Sequence, residues 1–559
     1  MKKCVSIFDN IFVVIASINL FLILFTQSGK ADHVWQINYF YTYTTVILLL
    51  LRSSIVFIQN SFSGYILRRL SIDILFVFFS FFTIKYSLKL IQFYFVIRAL
   101  ALLLKKYSKS KKDIHTYNNL FKYPALWVIL SFLSTIFIGT LILLLPGITN
   151  KEVNINFIDA LFTSTSSVCI TGLTVYDIGV SFSHIGQLLI LILIQVGGLG
   201  IMTISSALAI AIGQRFSLRS GALIQNVLNR NYSIDFPQLL KNIITFTFTV
   251  EILGALLLIY PFYKYFGNIA QSIYYAIFHS ISAFCNAGFS LFSGNLLAFR
   301  TNPIVTFTIT TLVIIGGLGF AVIDDSKKIF RHNGRFKQLK LHSKIVLVTS
   351  LALILSGTLL FFISEYNYTM KSFGFFEKLQ SSYFQSVTTR SAGFNTIDFS
   401  QISFATVLLT VFLMYVGSSP GSTGGGIKTT TLAIIVLSII SILKGNKDLV
   451  VFNRHISETT LLKAMAIIAL SLFFILSILF MLTLIEPFSF EKIFFEAFSA
   501  FSTTGLTMGI TSMFSSVGKL LIIILMFIGR VGPLTFIFLL SEHVTPMKYV
   551  VPQENVEIG

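Results

Sequence analysis

Charge is scarce in this chain: Asp, Glu, Lys and Arg make up 11% of its 559 residues, against 55% hydrophobic. A soluble fold cannot hide that much apolar surface, so a water-soluble enzyme is excluded. Cysteine is nearly absent too, and Cys4, Cys169 and Cys285 build neither a disulfide framework nor a CxxC or Cys/His metal spacing. The eight histidines form no HExxH motif, and no membrane-embedded Asp/Glu/His cluster is evident, which argues against an intramembrane enzyme. Acidic residues number 22 against 41 basic ones, leaving a net charge of +19. In a soluble protein that excess would suggest nucleic acid. Here 18 of the basic residues sit in four linkers between apolar runs, Lys105–Lys112, Gly213–Arg230, Asp325–Lys344 and Lys444–Arg454. Such a bias marks the cytoplasmic side of a membrane protein. The linkers carry no recognition motif, so no nucleic-acid partner is expected.

What is abundant is lipid-compatible sequence. The mean hydropathy is +0.84, and 59 Phe accompany long aliphatic runs. At roughly 20 apolar residues per spanning helix, about ten to twelve crossings are allowed. The first apolar run, Val5 to Gln27, follows Lys2 and Lys3 but is followed by no small-residue cleavage pattern, and reads as a retained helix.

Four segments repeat a pattern of small and hydroxyl residues leading to one glycine: TSTSSVCITGLT (163–174), SISAFCNAGFS (280–290), SVTTRSAGFN (386–395) and AFSTTGLT (500–507). Their glycines, Gly172, Gly288, Gly393 and Gly505, are spaced by 116, 105 and 112 residues. Each period holds a spanning-length run, a short amphipathic stretch ending at the glycine, and a second long run. The short stretches are Phe157–Val168, Ala270–Phe284, Phe375–Thr388 and Ile493–Phe501. At 1.5 Å per residue they fall short of a hydrocarbon core about 30 Å thick, so each must enter and turn back. Non-helical backbone is tolerated at that depth only where protein or a water-filled pathway satisfies it. The expected fold is therefore an all-α polytopic membrane protein with four tandem helix–pore-loop–helix repeats in pseudo-fourfold arrangement around one pore. The expected divisions are an N-terminal extension over 1–119 and repeats over 120–230, 231–340, 341–455 and 456–559.

Glycine at a re-entrant tip leaves no side chain in the way. Carbonyls there can face an axis and replace an ion's hydration shell, helped by the negative carboxyl ends of the half-helices. The candidate ligands are the carbonyls of Thr171, Gly172, Ala287, Gly288, Ala392, Gly393, Thr504 and Gly505, with Ile170, Asn286, Ser391 and Thr503 completing each filter loop. Hydroxyls of Thr171, Thr174, Thr389, Thr503, Thr504 and Thr507 offer further hard oxygen donors suited to alkali cations. Loops one and four read Thr-Gly-Leu while loops two and three read Ala-Gly-Phe, which makes the quadrants unequal. Cys169 and Cys285, three residues before their glycines, read as small packing residues. A pure scaffold role would leave four aligned loops unexplained.

The last helix of the third period is interrupted by Tyr415-Val416-Gly417-Ser418-Ser419-Pro420-Gly421-Ser422-Thr423-Gly424-Gly425-Gly426-Ile427-Lys428-Thr429, too rich in Gly and Pro to stay helical. Ile427 separates Gly426 from Lys428 and no strand precedes, so a phosphate loop is not indicated. A constriction below the filter is expected, with Gly417, Gly421, Gly424, Gly425, Gly426 and Lys428 in it. Arg530 lies inside the apolar run Leu520–Leu540 and must face water, a pore or a partner. Facing the pore, it would repel cations or hold the glycine loop through carbonyl contacts. Glu251, inside Leu240–Phe262, reads equally as a local packing residue or a functional one.

These four loops, GSSPGSTGGGIKTT and GRVGPLT around Arg530 resemble the Trk/Ktr/HKT superfamily of potassium transporters over about residues 120–545. The resemblance implies that the four glycines are filter glycines passing K+, that 417–429 is a gating loop, and that Arg530 is the basic residue meeting it. Glycine in all four positions looks like the potassium-selective members, those with serine in the first loop tending toward sodium. A sodium-permeable or non-selective member is the alternative, and Na+ a possible coupling or activating ion. Bacterial members are homodimers docked on a cytosolic nucleotide-binding ring of KtrA/TrkA type, so no nucleotide is expected on this subunit. The implied location is the bacterial inner membrane, basic linkers inside. The departure from the family is a longer amino-terminal extension, with apolar runs at Val5–Gln27, Tyr39–Gln59 and Ile72–Leu104.

Overall fold

The computed structural model describes residues 124–150, 153–200, 236–331, 336–445 and 448–532. The amino-terminal extension, the linkers Lys105–Lys112 and Gly213–Arg230, and the chain after Gly532 lie outside the described residues. Backbone contacts divide the chain into two units. One includes Phe137–Leu161 and Val180–Leu189; in it Thr149 and Phe182 form an antiparallel bridge, and the Ser183 hydroxyl donates to Gly147 O at 2.6 Å. The other includes Tyr123–Ile136, Phe162–Gly179 and everything from Ile190 onward, and it contains all four glycine loops.

Helices account for almost all regular structure. Among the described residues the longer helices of the first repeat are α1 (Pro124–Leu143), α2 (Phe157–Cys169) and α3 (His184–Leu199). The second has α4 (Phe236–Phe266), α5 (Ile269–Phe284), α6 (Pro303–Leu318) and α7 (Phe320–Arg331). The third has α8 (Leu341–Glu365), α9 (Phe375–Thr388), α10 (Phe404–Tyr415) and α11 (Thr429–Leu443). The fourth has α12 (Glu458–Ile485), α13 (Phe490–Phe501) and α14 (Ser516–Val531).

Among the described residues, α8, α12 and Lys241–Phe266 of α4 are long and apolar enough to cross a membrane, and α6 with α7 would make one bent span. Their polarity is inverted relative to a soluble helix. Ile252, Leu253, Leu256 and Leu257 of α4 are exposed, whereas Thr247 and Glu251 of the same helix are buried. Likewise Leu351, Leu355 and Leu359 of α8 face outward while Ser350 is buried. Such surfaces are stable only in lipid, where interhelical packing falls to small and polar residues.

The short helices α2, α5, α9 and α13 run 13, 16, 14 and 12 residues. At 1.5 Å per residue none reaches across about 30 Å. Each of three is tied to its outer helix by the same bond: Ser164, Ser280 and Ser386 hydroxyls donate to the carbonyls of Ile136, Glu251 and Ile354 at 2.7, 2.6 and 2.8 Å. The approach is close because Gly254 and Gly357 stand opposite the Ser280 and Ser386 hydroxyls. All four inner helices begin at a side-chain cap, from Ser183, Asn302, Ser403 and Ser515 to the amides of Gly186, Ile304, Thr406 and Gly518.

The inner helices differ from expectation. The sequence singles out only the third as interrupted and reads Pro303–Ile323 as one run. Instead α6 stops at Gly319, and α7 leaves at 97°. Gly200 and Gly532 follow α3 and α14 with the same positive φ, 77° and 92°, as Gly319 with 86°. A side chain at Gly319 would strike the Pro420 carbonyl, so the helix breaks where the intramembrane loop passes.

Candidate functional site

Each pore helix ends in the same unusual backbone. The residue two before each glycine has positive φ although it is not glycine: Ile170 58°, Asn286 59°, Ser391 61° and Thr503 49°. The glycines follow at 88°, 71°, 76° and 89°, and the residue between them is not left-handed. Such alternation turns successive carbonyls toward one side of the chain, as a row of backbone ligands requires. A left-handed Ile or Thr costs on the order of 1–3 kcal/mol and persists only where its surroundings over-determine it. All four are buried to within 1%. A helix-terminating turn also helps hold them: the Thr171, Ala287 and Thr504 amides donate to Ser166, Ser282 and Ser499 carbonyls, five residues back, at 2.8, 2.8 and 3.0 Å. In the third loop Gly393 N reaches Thr388 O at 3.1 Å.

The four loops form a closed ring. A Cβ added to Gly172 would collide with Ala287 O, one on Gly288 with Ala392 O, one on Gly393 with Thr504 O, and one on Gly505 with Thr171 O. Each glycine therefore lies against the carbonyl that precedes the next loop's glycine, in chain order, and the fourth returns to the first. Any other residue in these positions would push a carbonyl out of place.

Three quadrants brace the segment after the glycine from the pore helix, each with different chemistry. In loop two His279 Nε2 meets Ser290 Oγ at 3.0 Å; in loop three Gln385 Nε2 donates to Thr396 Oγ1 at 3.1 Å. In loop four the buried Glu496 carboxylate accepts from Thr507 Oγ1, from Met508 N at 3.2 Å and from Thr511 Oγ1 at 3.0 Å. Several hydroxyls considered as ligands are thus engaged by protein: Thr507 by Glu496, and Thr389 by Gln385 O at 2.8 Å. Thr504 Oγ1 meets Ser502 Oγ at 3.0 Å, while Thr171 Oγ1 is buried with no partner.

The interrupted segment sits directly against the ring. Gly425 N donates to Thr503 Oγ1 at 3.1 Å, and Ser391 Oγ donates to Ser502 O at 3.0 Å and, more weakly, to Gly425 O at 3.4 Å. Ser419 N bonds Gly317 O at 3.0 Å and Phe320 N bonds Gly421 O at 3.3 Å, joining the loop to the break in α6. Val416 and Ile427 pair as a parallel bridge across its base, and Lys428 Nζ donates to Gly424 O at 2.8 Å. Gly417 and Gly424 leave room for Gly425 O and Ser418 Oγ, and Gly426, with φ 70°, backs onto Gly417. Arg530 donates Nη1 to Thr423 O in this loop and Nη2 to Gly197 O at the end of α3. One guanidinium so joins the fourth repeat, the loop of the third and the inner helix of the first.

Sequence reasoning missed a second internal repeat. Val196-Gly197-Gly198, Ile315-Gly316-Gly317, Val416-Gly417-Ser418 and Ile528-Gly529-Arg530 recur 24 to 28 residues after each filter glycine. Gly197, Gly316 and Gly529 abut the carbonyls of Val168, Phe284 and Phe501 in the last turn of their own pore helices. Arg530 thus occupies a position held by Gly198, Gly317 and Ser418 in the other repeats. The recurring hydrophobic-Gly pair was legible; the bracing residues His279, Gln385 and Glu496 carried no signal beyond being polar in an apolar setting.

Comparison with known proteins agrees with this architecture. Residues 88–548 match the family model for TrkH, described as a cation transport protein. The chain is 41% identical over 411 residues to Ktr system potassium uptake protein B of Bacillus subtilis, covering 73% of this chain and 91% of that one. It is 38% identical over 443 residues to the potassium/sodium uptake protein NtpJ of Enterococcus hirae, covering 78% and 97%. The solved structure of the potassium transporter TrkH from Vibrio parahaemolyticus shares the fold, with a TM-score of 0.63 at 16% identity over 95% of this chain and 98% of that one.

Proposed function

The chain belongs to the TrkH cation transport family, and on that premise we propose that it is the pore-forming subunit of a potassium uptake system in a bacterial inner membrane. The observation that carries the reading is the ring in which each filter glycine lies against the next loop's carbonyl. K+ sheds water as it enters and is received by the carbonyls of Thr171, Gly172, Ala287, Gly288, Ala392, Gly393, Thr504 and Gly505. The driving force is the interior-negative membrane potential, worth about 2.3 kcal/mol per elementary charge per 100 mV.

Below the ring, the Gly417–Thr429 segment blocks the path, and Arg530 locks it. A guanidinium beside the ion route repels cations, and its two carbonyl bonds fix the loop to α3. Charge-assisted hydrogen bonds contribute about 1.5–3 kcal/mol each, so release of both is a barrier of several kcal/mol that a regulatory partner must overcome. The subunit works as a homodimer docked on a cytosolic nucleotide-binding ring of KtrA/TrkA type, with no nucleotide on this subunit, as the family resemblance implies; the Bacillus subtilis relative is named as one protein of a Ktr system. The basic segment after α7 and the Lys444–Arg454 linker, which would face the cytosol, offer it a surface.

A second reading, a sodium-permeable pathway of the same fold, is favoured by the relative named for both potassium and sodium. Growth of a potassium-uptake-deficient bacterium at low external K+, with Rb+ and Na+ uptake followed in the same cells, decides. Rescue with Rb+ uptake blocked by excess K+ but not by Na+ supports the potassium reading. Uptake of Na+ alone overturns it in favour of the second.

A further inference from the structure

Away from the filter, the middle of α4 holds an acid that neither filter nor gate uses. Glu251 is the sixteenth residue of a 31-residue spanning helix and is only 3% exposed. Its Oε1 accepts from Gln195 Nε2 of α3 at 3.0 Å, and its Oε2 has no partner. One turn earlier on the same face, Thr247 Oγ1 is fully buried and likewise unpartnered. Gln195 is engaged at both ends, its Oε1 lying 3.5 Å from the Cys285 thiol.

As an anion, Glu251 leaves Oε2 with no donor from the protein. A buried polar atom without a partner points to an occupant, and a buried carboxylate requires a compensating charge. Among the described residues no cationic side chain bonds it, and Arg530 is committed to Thr423 O and Gly197 O. The donor set is hard oxygen, which disfavours thiophilic metals. One carboxylate balances one positive charge, and no group of three or more metal-binding side chains occurs among the described residues. A divalent ion would therefore be left uncompensated in a low-dielectric interior.

We propose that Glu251 and Thr247 form an off-pore binding site for a monovalent cation, and that the ion is Na+. A carboxylate oxygen is a stronger-field ligand than the filter carbonyls, which favours the smaller ion. Through Gln195 the site touches α3 two residues before Gly197, whose carbonyl Arg530 holds. An ion there would bias the helix on which the gate rests.

The test is binding of ²²Na+ to the full-length protein, purified and reconstituted in liposomes, with K+ in large excess to saturate the filter. A Na+ fraction that K+ does not displace is expected in the wild type, lost in Glu251→Gln and weakened about tenfold, or 1.4 kcal/mol, in Thr247→Val. Rb+ binding without competing K+ reports on the folded filter in each preparation. No K+-resistant Na+ in the wild type, meaning a bridging water only, overturns the proposal. Unchanged Na+ binding in a Glu251→Gln protein that still binds Rb+ overturns it as well. Should Glu251→Gln lose Rb+ binding through misfolding, unaltered Na+ affinity in Thr247→Val has the same force. Loss of Rb+ binding in the wild type would strike the filter reading and leave this one standing.

Discussion

Gly505 lies against the carbonyl oxygen of Thr171, so the last filter loop of the chain closes onto the first. On the proposed reading, selectivity depends on four such contacts, three between loops about 110 residues apart in sequence and the fourth between the two ends of the repeat series.

Replacing Gly172 by Ser places a Cβ against Ala287 O at a backbone φ of 88°. Strain of about 1–3 kcal/mol in the filter loop is expected to lower the K+/Na+ uptake ratio roughly tenfold while leaving expression intact. Parallel Rb+ and Na+ flux assays in the same cells measure it; an unchanged ratio would count heavily against the ring as the filter.

Arg530→Gln keeps one amide donor where two guanidinium bonds reached Thr423 and Gly197. Basal Rb+ flux without activating partner should rise about tenfold or more, at about 1.5–3 kcal/mol per charged bond lost. Deletion of residues 417–429 should do the same. Flux at the wild-type level in both variants would remove the gate from this segment.

Glu496→Ala strands three donors, the hydroxyls of Thr507 and Thr511 and the Met508 amide. A loss of about 2–4 kcal/mol in stability is expected, since each buried donor left unpaired costs about 1–3 kcal/mol. Thermal unfolding in detergent should show a lowered midpoint, with K+ protecting less than in the wild type. A midpoint and K+ protection equal to those of the wild type would mean that the fourth loop needs no brace.

Gly319→Ala sets a methyl group on the Pro420 carbonyl at a φ of 86°. The loop should be displaced from the end of α6, giving leakier transport with unaltered ion preference, since the ring above is untouched. Altered selectivity with normal basal flux would assign Gly319 to the filter instead.

Much of this was legible because it is local. The pore-helix bounds read from amphipathic spacing fall within a few residues of α2, α5, α9 and α13, and Phe375–Thr388 coincides with α9. The interruption in the third inner helix announces itself through Gly and Pro density. The break at Gly319 did not, because Gly316-Gly317-Leu318-Gly319 has neither the proline nor the length of the interruption in the third repeat, and short glycine clusters also occur in unbroken membrane helices. The Pro420 carbonyl packed against Gly319 leaves no room for a side chain there.

By itself the sequence determined that the chain lives in lipid, that its membrane part repeats four times, and that each repeat carries one glycine at the tip of a helix too short to span. These follow from hydropathy, length and backbone freedom, which are properties of neighbouring residues. Tertiary structure decided what meets what: that the four glycines stack against one another's carbonyls in a ring, that Arg530 bonds Gly197 across 333 residues of chain, and that Glu251 is left with an unpartnered oxygen. Such pairings arise when helices distant in sequence are packed side by side, and no local pattern records them.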